Sequence, residues 1–291
     1  MVQSPRGFAL QSVSLCVICH DRPDELASTV HSVRTEPWHE ILVLDMASDP
    51  PLAEIRGATV FRSETNIGPA AGRNRLAQRA TGELLVFLDD DVLLRTPAVK
   101  TVQNLFGAHQ RLAIVAFKVH RGAAGILSRE YPFRGRVVNQ DRARPCAYFV
   151  SAGYACRKAA VDAPGGYDER LFIYCEELEL SFGVLSRGWK LWYEPSIEVE
   201  HRPSTRGRSA VIPANTIRNR FMIVRRYLPG IVQPLHLGVW IALTLLQAAR
   251  SNAVGTWLSS LMAGLRVPVS RRRLSWRLLM RIHRLGGRVL Y

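Results

Sequence analysis

The sequence predicts an α/β fold, a mostly parallel mixed sheet flanked by helices, with a helical extension at the C-terminus. Short apolar runs alternate with helical patterns over the first ninety residues, as a doubly wound sheet requires. One apolar run, residues 84–88, leads directly into Asp89, Asp90 and Asp91, which is typical of a buried parallel strand that ends at a polar site. After Pro203 the composition changes to arginine and apolar residues. A chain of 291 residues can hold one large domain and such an extension.

Each element follows from local periodicity and turn residues. Strands are predicted at residues 13–19, 41–44, 59–62 and 84–88, with helices after the first strand and at residues 70–80. The second half has helical patterns at residues 99–107 and 176–187 and strand patterns at 113–119, 147–151 and 189–193. We expect the domain boundary near residue 205. We expect residues 1–205 to form one domain, divided at about residue 95 into two halves, and residues 206–291 to form an arginine-rich helical extension.

Polar side chains follow three of the predicted strands. Because the carboxyl ends of parallel strands meet at one edge of a sheet, Cys19, Asp45 and Asp89 are expected to lie close together. Three consecutive carboxylates repel one another, and a hard divalent cation with oxygen ligands, bridging substrate phosphates, resolves that repulsion. The alternative is a helix cap, for which a single aspartate would suffice.

The net charge of +15 is concentrated in the last third of the chain. Residues 1–200 hold all 24 acidic residues and 23 of the 39 basic ones, a net charge of −1, whereas residues 201–291 hold 16 arginines and no Asp, Glu or Lys. On a helical wheel, residues 271–285 place leucines and isoleucine on one face and arginines beside it. This pattern favours peripheral attachment to an anionic membrane surface. The alternative is a helix that packs its leucines on the core and leaves its arginines in solvent.

Other partners and locations are less favoured by the composition. Nucleic acid is not expected as a partner, because no aromatic stacking platform accompanies the basic residues. The apolar run at residues 237–249 is shorter than the roughly 18 residues of a membrane span, and the N-terminus lacks a signal-peptide pattern. Five scattered cysteines indicate reduced thiols. We therefore expect a cytoplasmic protein, peripheral on the inner face of the cell membrane.

Four segments in order carry a family resemblance: residues 13–23, residues 43–49, residues 66–74 with 87–91, and residues 165–169 with 176–180. Together they resemble the family 2 glycosyltransferases, inverting enzymes with a GT-A fold. The resemblance covers about residues 12–203, with a weaker echo at residues 218–220. It implies that residues 1–205 form a catalytic domain, with a donor-binding half to about residue 95 and an acceptor half from 96 to 205. It implies a nucleotide-sugar donor, with UDP or dTDP favoured, an acceptor hydroxyl on a glycan, lipid or small molecule, and Mg²⁺ or Mn²⁺ as cofactor.

The resemblance also assigns roles by position. It implies that Asp91 binds the metal, that Asp89 lies near the metal or the ribose, that His201 completes the metal site, and that Glu177 is the catalytic base, a position where the family more commonly has Asp. The implied donor-binding residues are Asp45 at the pyrimidine base, Arg73 at the diphosphate, and Cys19, Asp89 and Asp90 around the nucleotide sugar.

The residue types support this chemistry independently. A departing nucleoside diphosphate needs its charge neutralised, and the acceptor hydroxyl needs a carboxylate on the opposite face of the sugar. Plainer roles remain open: Asp45 as a turn residue, Arg73 as a solvated side chain, Glu177 as part of an acidic first helical turn, and His201 as a structural histidine.

Two other functions are compatible with such a fold. A sugar-1-phosphate nucleotidylyltransferase would be expected to carry a glycine-rich phosphate loop after the first strand, whereas residues 19–23 contain no glycine. A non-catalytic membrane-bound adaptor would keep the fold and lose the chemistry.

Overall fold

A nine-stranded mixed sheet forms the centre of the computed structural model, which describes residues 11–203 and 211–287. In those ranges its strands are β1 (Val13–Cys19), β2 (Glu40–Met46), β3 (Thr59–Ser63), β4 (Leu84–Asp89), β5 (Val92–Leu94), β6 (Leu112–His120), β7 (Arg144–Cys146), β8 (Gly153–Arg157) and β9 (Lys190–His201). Their order is β3-β2-β1-β4-β8-β6-β9-β5, with β7 on β9. The four strands at the β3 end are parallel, as predicted, whereas β8 runs antiparallel to both β4 and β6 and makes the sheet mixed.

Helices cover both faces of this sheet. In the described part of the chain they are α1 (Pro23–Val33), α2 (Gly68–Arg79), α3 (Val99–Ala108), α4 (Lys158–Asp162), α5 (Glu176–Leu185), α6 (Val211–Tyr227), α7 (Gln233–Arg250), α8 (Val254–Arg266) and α9 (Trp276–Arg284). The two faces of the sheet hold separate apolar clusters. Cys16 belongs to one cluster and Cys19 to the other, because side chains alternate along β1.

Strand register brings the predicted polar residues to one edge. Cys19 pairs with Asp45 across β1 and β2, and Ile18 pairs with Asp89 across β1 and β4. The carboxyl ends of these parallel strands are therefore level, which confirms that the residues following them are gathered together.

The predicted strand at residues 147–151 is wrong, because the chain forms β8 slightly later, at Gly153–Arg157. A Cβ atom on Gly153 would lie 2.9 Å from the Val199 side chain, so the glycine at the start of β8 leaves room for that side chain, which reaches across from β9 past β6. In sequence that glycine indicates a turn. The short strands β5 and β7 were also not predicted, and β9 extends further than expected, with its register on β6 shifting between Phe117 and Lys118.

The amphipathic C-terminal segment packs on the protein core. Leu274, Leu279 and Ile282 are at most 4% exposed and belong to the same apolar cluster as sheet residues such as Tyr154. The expectation that this face lies on a membrane is wrong, because residues of the sheet and its connecting loops cover it. Across residues 11–203 and 211–287, no helix is both long and apolar enough to cross a bilayer.

Replacement of Ile282 tests whether α9 belongs to the folding unit. Ile282→Ala deletes fully buried atoms and is expected to lower the free energy of unfolding by about 2–4 kcal/mol. Met280→Ala, on the same helix at a 51% exposed side chain, is the matched control and should change it by about 0.5 kcal/mol or less. Urea denaturation of both variants measures the difference, and equal small effects would show that α9 does not contribute to the core.

Candidate active site

Two aspartates and one histidine converge at the edge of the sheet. Ligand atoms of Asp89, Asp91 and His201 all lie within 4.8 Å of one another. Although His201 is far away in sequence, strand β5 begins directly after Asp91 and pairs antiparallel with β9, so that Val92 faces His201. The donor set of two carboxylates and one imidazole fits a divalent cation such as Mn²⁺ or Mg²⁺. The three residues expected as metal ligands are thus brought together.

Glu130 holds the histidine in place. The Nδ1 atom of His201 lies 2.7 Å from Oε1 of Glu130, which leaves Nε2 directed at Asp91, 3.3 Å from Oδ1. Burial lowers the pKa of His201, but Asp91 and Glu130 outweigh it and raise that pKa to about 9. Burial raises the pKa of Glu130, yet bonds from His201 and Arg121 bring it down to about 2. A carboxylate behind an imidazole is the usual support for a metal-binding histidine.

Arg22 was not predicted, although it lies against the aspartate triplet. Its Nη1 donates to Asp91 Oδ2 at 2.6 Å and to Asp90 Oδ1 at 3.3 Å. Burial and the charge of Asp91 raise the pKa of Asp90 to about 7. For Asp91 itself, burial is outweighed by His201 and Arg22, and its pKa is lowered. The backbone carbonyl of Asp90 accepts a hydrogen bond from Thr29 of α1. This bond attaches the turn between β4 and β5 to that helix.

Arg73 links the aspartates to the start of α5. It is 2% exposed, and its guanidinium donates to Asp89 at 2.8 Å and to Glu176 at 3.2 Å. Burial works against the charged form, but Asp89 outweighs it and the pKa of Arg73 is raised. Burial and Glu177 raise the pKa of Glu176 to about 8. The solvated alternative for Arg73 is therefore wrong, while its expected contact with a diphosphate stays a prediction.

The two glutamates at the start of α5 have different surroundings. Glu176 is 3% exposed and faces Arg73, whereas Glu177 is half-buried and its Oε1 accepts a hydrogen bond from Ser151 Oγ at 2.8 Å. Only Glu177 of this pair has a carboxylate that is both oriented and accessible. This is the geometry that a general base needs.

A strained loop carries these glutamates. Phe172, Tyr174 and Cys175 all have left-handed backbone angles, with φ of 58°, 69° and 67°. Asn219 on α6 stabilises the loop, since its Nδ2 lies 2.8–3.0 Å from the carbonyl oxygens of Leu171, Ile173 and Tyr174. The extension therefore positions the candidate base.

Asp45 lies on the other side of the edge. It is 1% exposed and accepts hydrogen bonds from the backbone of Ser48 at 2.8 Å and Leu52 at 3.2 Å, and from Arg62. These bonds outweigh burial and lower its pKa. The turn role is present, and its contact with a base stays a prediction. A cavity of about 490 Å³ adjoins it, which is within the size range of small-molecule sites.

Cys19 is fully buried behind this edge. Its Sγ atom lies 3.6 Å from the carbonyl oxygen of Arg22, and burial raises the pKa of the thiol. The side chain contributes to packing on the α1 face of the sheet. Its place in the donor-binding set stays a prediction.

Comparison with known families agrees with this geometry. The model of the family described as "Glycosyl transferase family 2" matches residues 14–162, more than half of the chain. The chain belongs to glycosyltransferase family 2. The match contains β1 to β4, the aspartate triplet and Arg73.

Two sequence relatives resemble this family 2 glycosyltransferase over more than half of its length. Pre-mycofactocin glycosyltransferase of Mycobacterium tuberculosis is 29% identical over 220 residues, which cover 70% of this chain and 45% of the relative. An uncharacterised Haemophilus influenzae protein is 25% identical over 168 residues, 53% of this chain and 91% of that protein. The chain thus spans less than half the length of the mycobacterial relative.

Two solved structures share the fold at low sequence identity. GalNAc-T7 with UDP, GalNAc and Mn²⁺ superposes with a TM-score of 0.64 at 17% identity, over 86% of this chain and 54% of that one. The mannosyltransferase PcManGT of Pyrobaculum calidifontis, with GDP-Man and Mn²⁺, gives 0.53 at 15% identity, over 95% and 79%. These likenesses confirm the predicted GT-A fold with its C-terminal helices.

The support of His201 by Glu130 can be tested with metal. Glu130→Gln removes the charge behind the imidazole and is expected to weaken Mn²⁺ binding about 10–100-fold. Glu198→Gln makes the same chemical change on β9 at a side chain paired with Lys118, and it should leave the affinity unchanged. Calorimetric titration of Mn²⁺ in the presence of UDP measures both variants. An unchanged affinity in Glu130→Gln would contradict the assignment.

Proposed function

We propose that this family 2 glycosyltransferase moves a sugar from a nucleotide-sugar donor to an acceptor hydroxyl, with a divalent metal and with inversion at the anomeric carbon. One observation carries the proposal. Arg73 donates hydrogen bonds to Asp89, a member of the candidate metal site, and to Glu176, the neighbour of Glu177. The group that would hold a departing diphosphate and the group that would deprotonate an acceptor thus belong to one site.

The donor half has the features that a nucleoside diphosphate needs. Asp91, Asp89 and His201 would hold Mg²⁺ or Mn²⁺, which supplies positive charge to the two phosphates. Asp45 can accept a hydrogen bond from the imide N–H of uracil or thymine, which favours UDP or dTDP, and the adjoining cavity offers room for the nucleoside. GalNAc-T7 is described with UDP and Mn²⁺, which supports this assignment.

The reaction is a single displacement. The acceptor oxygen forms a bond to the anomeric carbon while the bond to the diphosphate oxygen breaks, and the electron pair leaves with the diphosphate. Glu177 takes the hydroxyl proton, and Ser151 orients its carboxylate for that transfer. Attack opposite the leaving group inverts the anomeric centre.

Two substitutions separate binding from chemistry. Asp91→Asn is expected to abolish metal-dependent UDP binding, whereas Glu177→Gln should retain that binding and lose about 10²–10⁴-fold in transfer rate. Asp24→Asn, at an exposed side chain on α1, is the control. Calorimetry with UDP and Mn²⁺, hydrolysis of a nucleotide-sugar panel, and NMR of the product anomer provide the measurements.

Several outcomes would contradict the proposal. Retention of the anomeric configuration would exclude a single displacement. Absence of metal-dependent nucleotide binding by the parent protein would favour a non-catalytic adaptor. Reaction of a nucleoside triphosphate with a sugar-1-phosphate, with release of pyrophosphate, would identify a nucleotidylyltransferase.

We also propose that the C-terminal helices attach the protein peripherally to an anionic membrane surface, through α7 and α8 in place of α9. Both helices pack on α6 with one face and leave apolar side chains outside, including Leu235, Leu243, Leu246, Leu258 and Met262, which are 45–61% exposed. Residues 233–249 and 254–265 contain no Asp, Glu, Lys or Arg.

Charge complementarity identifies an anionic lipid surface as the occupant. Arginines alone supply the formal charge around this apolar face, with Arg250 and Arg266 at the helix ends, and residues 201–291 contain no carboxylate side chain. An apolar face bordered by arginine is suited to the lipid interface. Residues 206–291 would then be the membrane-attachment region of the predicted division.

Vesicle flotation tests this attachment. The parent protein is expected to float with vesicles of phosphatidylcholine and phosphatidylglycerol and to remain unbound with phosphatidylcholine alone. Leu258→Asp should abolish flotation, because it puts a charge into the apolar face. Ser259→Asp adds the same charge at the neighbouring exposed residue and should preserve most of it. Equal flotation of both variants, or of the parent with neutral vesicles, would contradict the proposal.

A further inference from the structure

Among residues 11–203 and 211–287, Arg220 is a buried cation without a counter-ion. The residue lies on α6, is 5% exposed, and its Nε and Nη1 atoms have no hydrogen-bond partner within residues 11–203 and 211–287. The ion pairs of those residues do not include it. Residues 1–10, 204–210 and 288–291 contain no Asp or Glu that could pair with it. A guanidinium is always charged, so burial without a partner is costly unless an anion binds there.

The surroundings of Arg220 add another hydrogen-bond donor. Its guanidinium carbon lies 3.8 Å from the centre of the Trp240 ring, which orients the cation by stacking. The indole Nε1 of Trp240 is buried and also has no hydrogen-bond partner in the described part of the chain. An indole N–H can only donate. Two side chains from α6 and α7 therefore present unused donors in one place.

This place adjoins the candidate base. Burial raises the pKa of the Cys175 thiol to about 11 and the charge of Arg220 opposes that shift, so Arg220 lies near the residue just before Glu176 and Glu177. Consecutive Cα atoms are 3.8 Å apart, so those of Cys175 and Glu177 are separated by at most about 7.6 Å. The neighbouring Asn219 clamps the same loop. An anion at Arg220 would therefore lie close to the loop that carries Glu177.

We propose that Arg220, together with Trp240, binds a phosphate group carried by the acceptor. The proposal rests on the function proposed above, because it assigns the acceptor side to the loop of Glu177. A guanidinium and an indole N–H are both hydrogen-bond donors, and a phosphate group offers several acceptor oxygens to them. The guanidinium and the indole then obtain the partners that they lack within the protein.

Titration of phosphate into the protein saturated with UDP and Mg²⁺ tests this site. Inorganic phosphate should bind the parent complex, and Arg220→Met should weaken that binding by about tenfold or more while leaving UDP affinity unchanged. Arg250→Met removes the same charge from an exposed position and is the control. Trp240→Phe keeps the stacked ring and deletes one donor, so about three- to tenfold weakening is expected. Dodecyl phosphate in neutral micelles, tested beside inorganic phosphate, distinguishes a lipid-borne phosphate from a soluble one.

Thermal unfolding separates a ligand site from a structural arginine. Without phosphate, Arg220→Met should unfold at the same temperature as the parent or higher, because it removes an unpaired buried charge. Phosphate should stabilise the parent and not the variant. Marked destabilisation of Arg220→Met with no phosphate effect on the parent would overturn the proposal, as would loss of UDP binding, which would place Arg220 at the donor. If UDP fails to bind the parent, the proposed function fails, and phosphate titration of the free proteins still decides the role of Arg220.

Discussion

The buried guanidinium of Arg73 is the constraint on which the site depends. A charged group at 2% exposure must be paired, and its two partners come from different elements of the fold, Asp89 at the end of β4 and Glu176 at the start of α5. Meeting both partners sets the distance between the aspartate cluster and the helix that carries Glu177. Arg73 also makes Glu176 a structural residue and leaves its neighbour accessible. The polar edge of the sheet and the base are thereby held as one unit.

A balance of charges organises the remaining acidic residues. Asp91 is shared by Arg22 and His201, and His201 is shared by Asp91 and Glu130. Burial alone would raise the pKa of Asp91 and of Glu130, but the adjacent cations lower both, whereas the pKa of Asp90 is raised because burial and the charge of Asp91 act together. In the proposed function, a bound metal ion would take the place of a side-chain cation such as Arg22 beside Asp91.

The arginine-rich extension packs against the candidate active site and also contributes an outer surface of the molecule. Asn219 donates to the carbonyl groups of the strained loop, Arg220 lies near Cys175, and α9 packs on the apolar cluster on one face of the sheet. What remains outside is the uncharged face of α7 and α8. One segment thus combines the positioning of the base with a surface suited to lipid, and an acceptor that carries a phosphate would meet both.

The sequence by itself determined the parallel half of the sheet, the helices α1, α2, α3 and α5, and the arrival of Asp45 and Asp89 at one edge, because local periodicity fixes these elements and parallel strands end at a common edge. It also predicted that Asp91 and His201 belong together through family resemblance. Tertiary structure decided the partners Arg22, Glu130 and Glu176, since ion pairs between distant elements leave no local pattern. Tertiary structure also decided that α9 packs on the core, because an amphipathic helix has the same periodicity whether its apolar face meets lipid or protein.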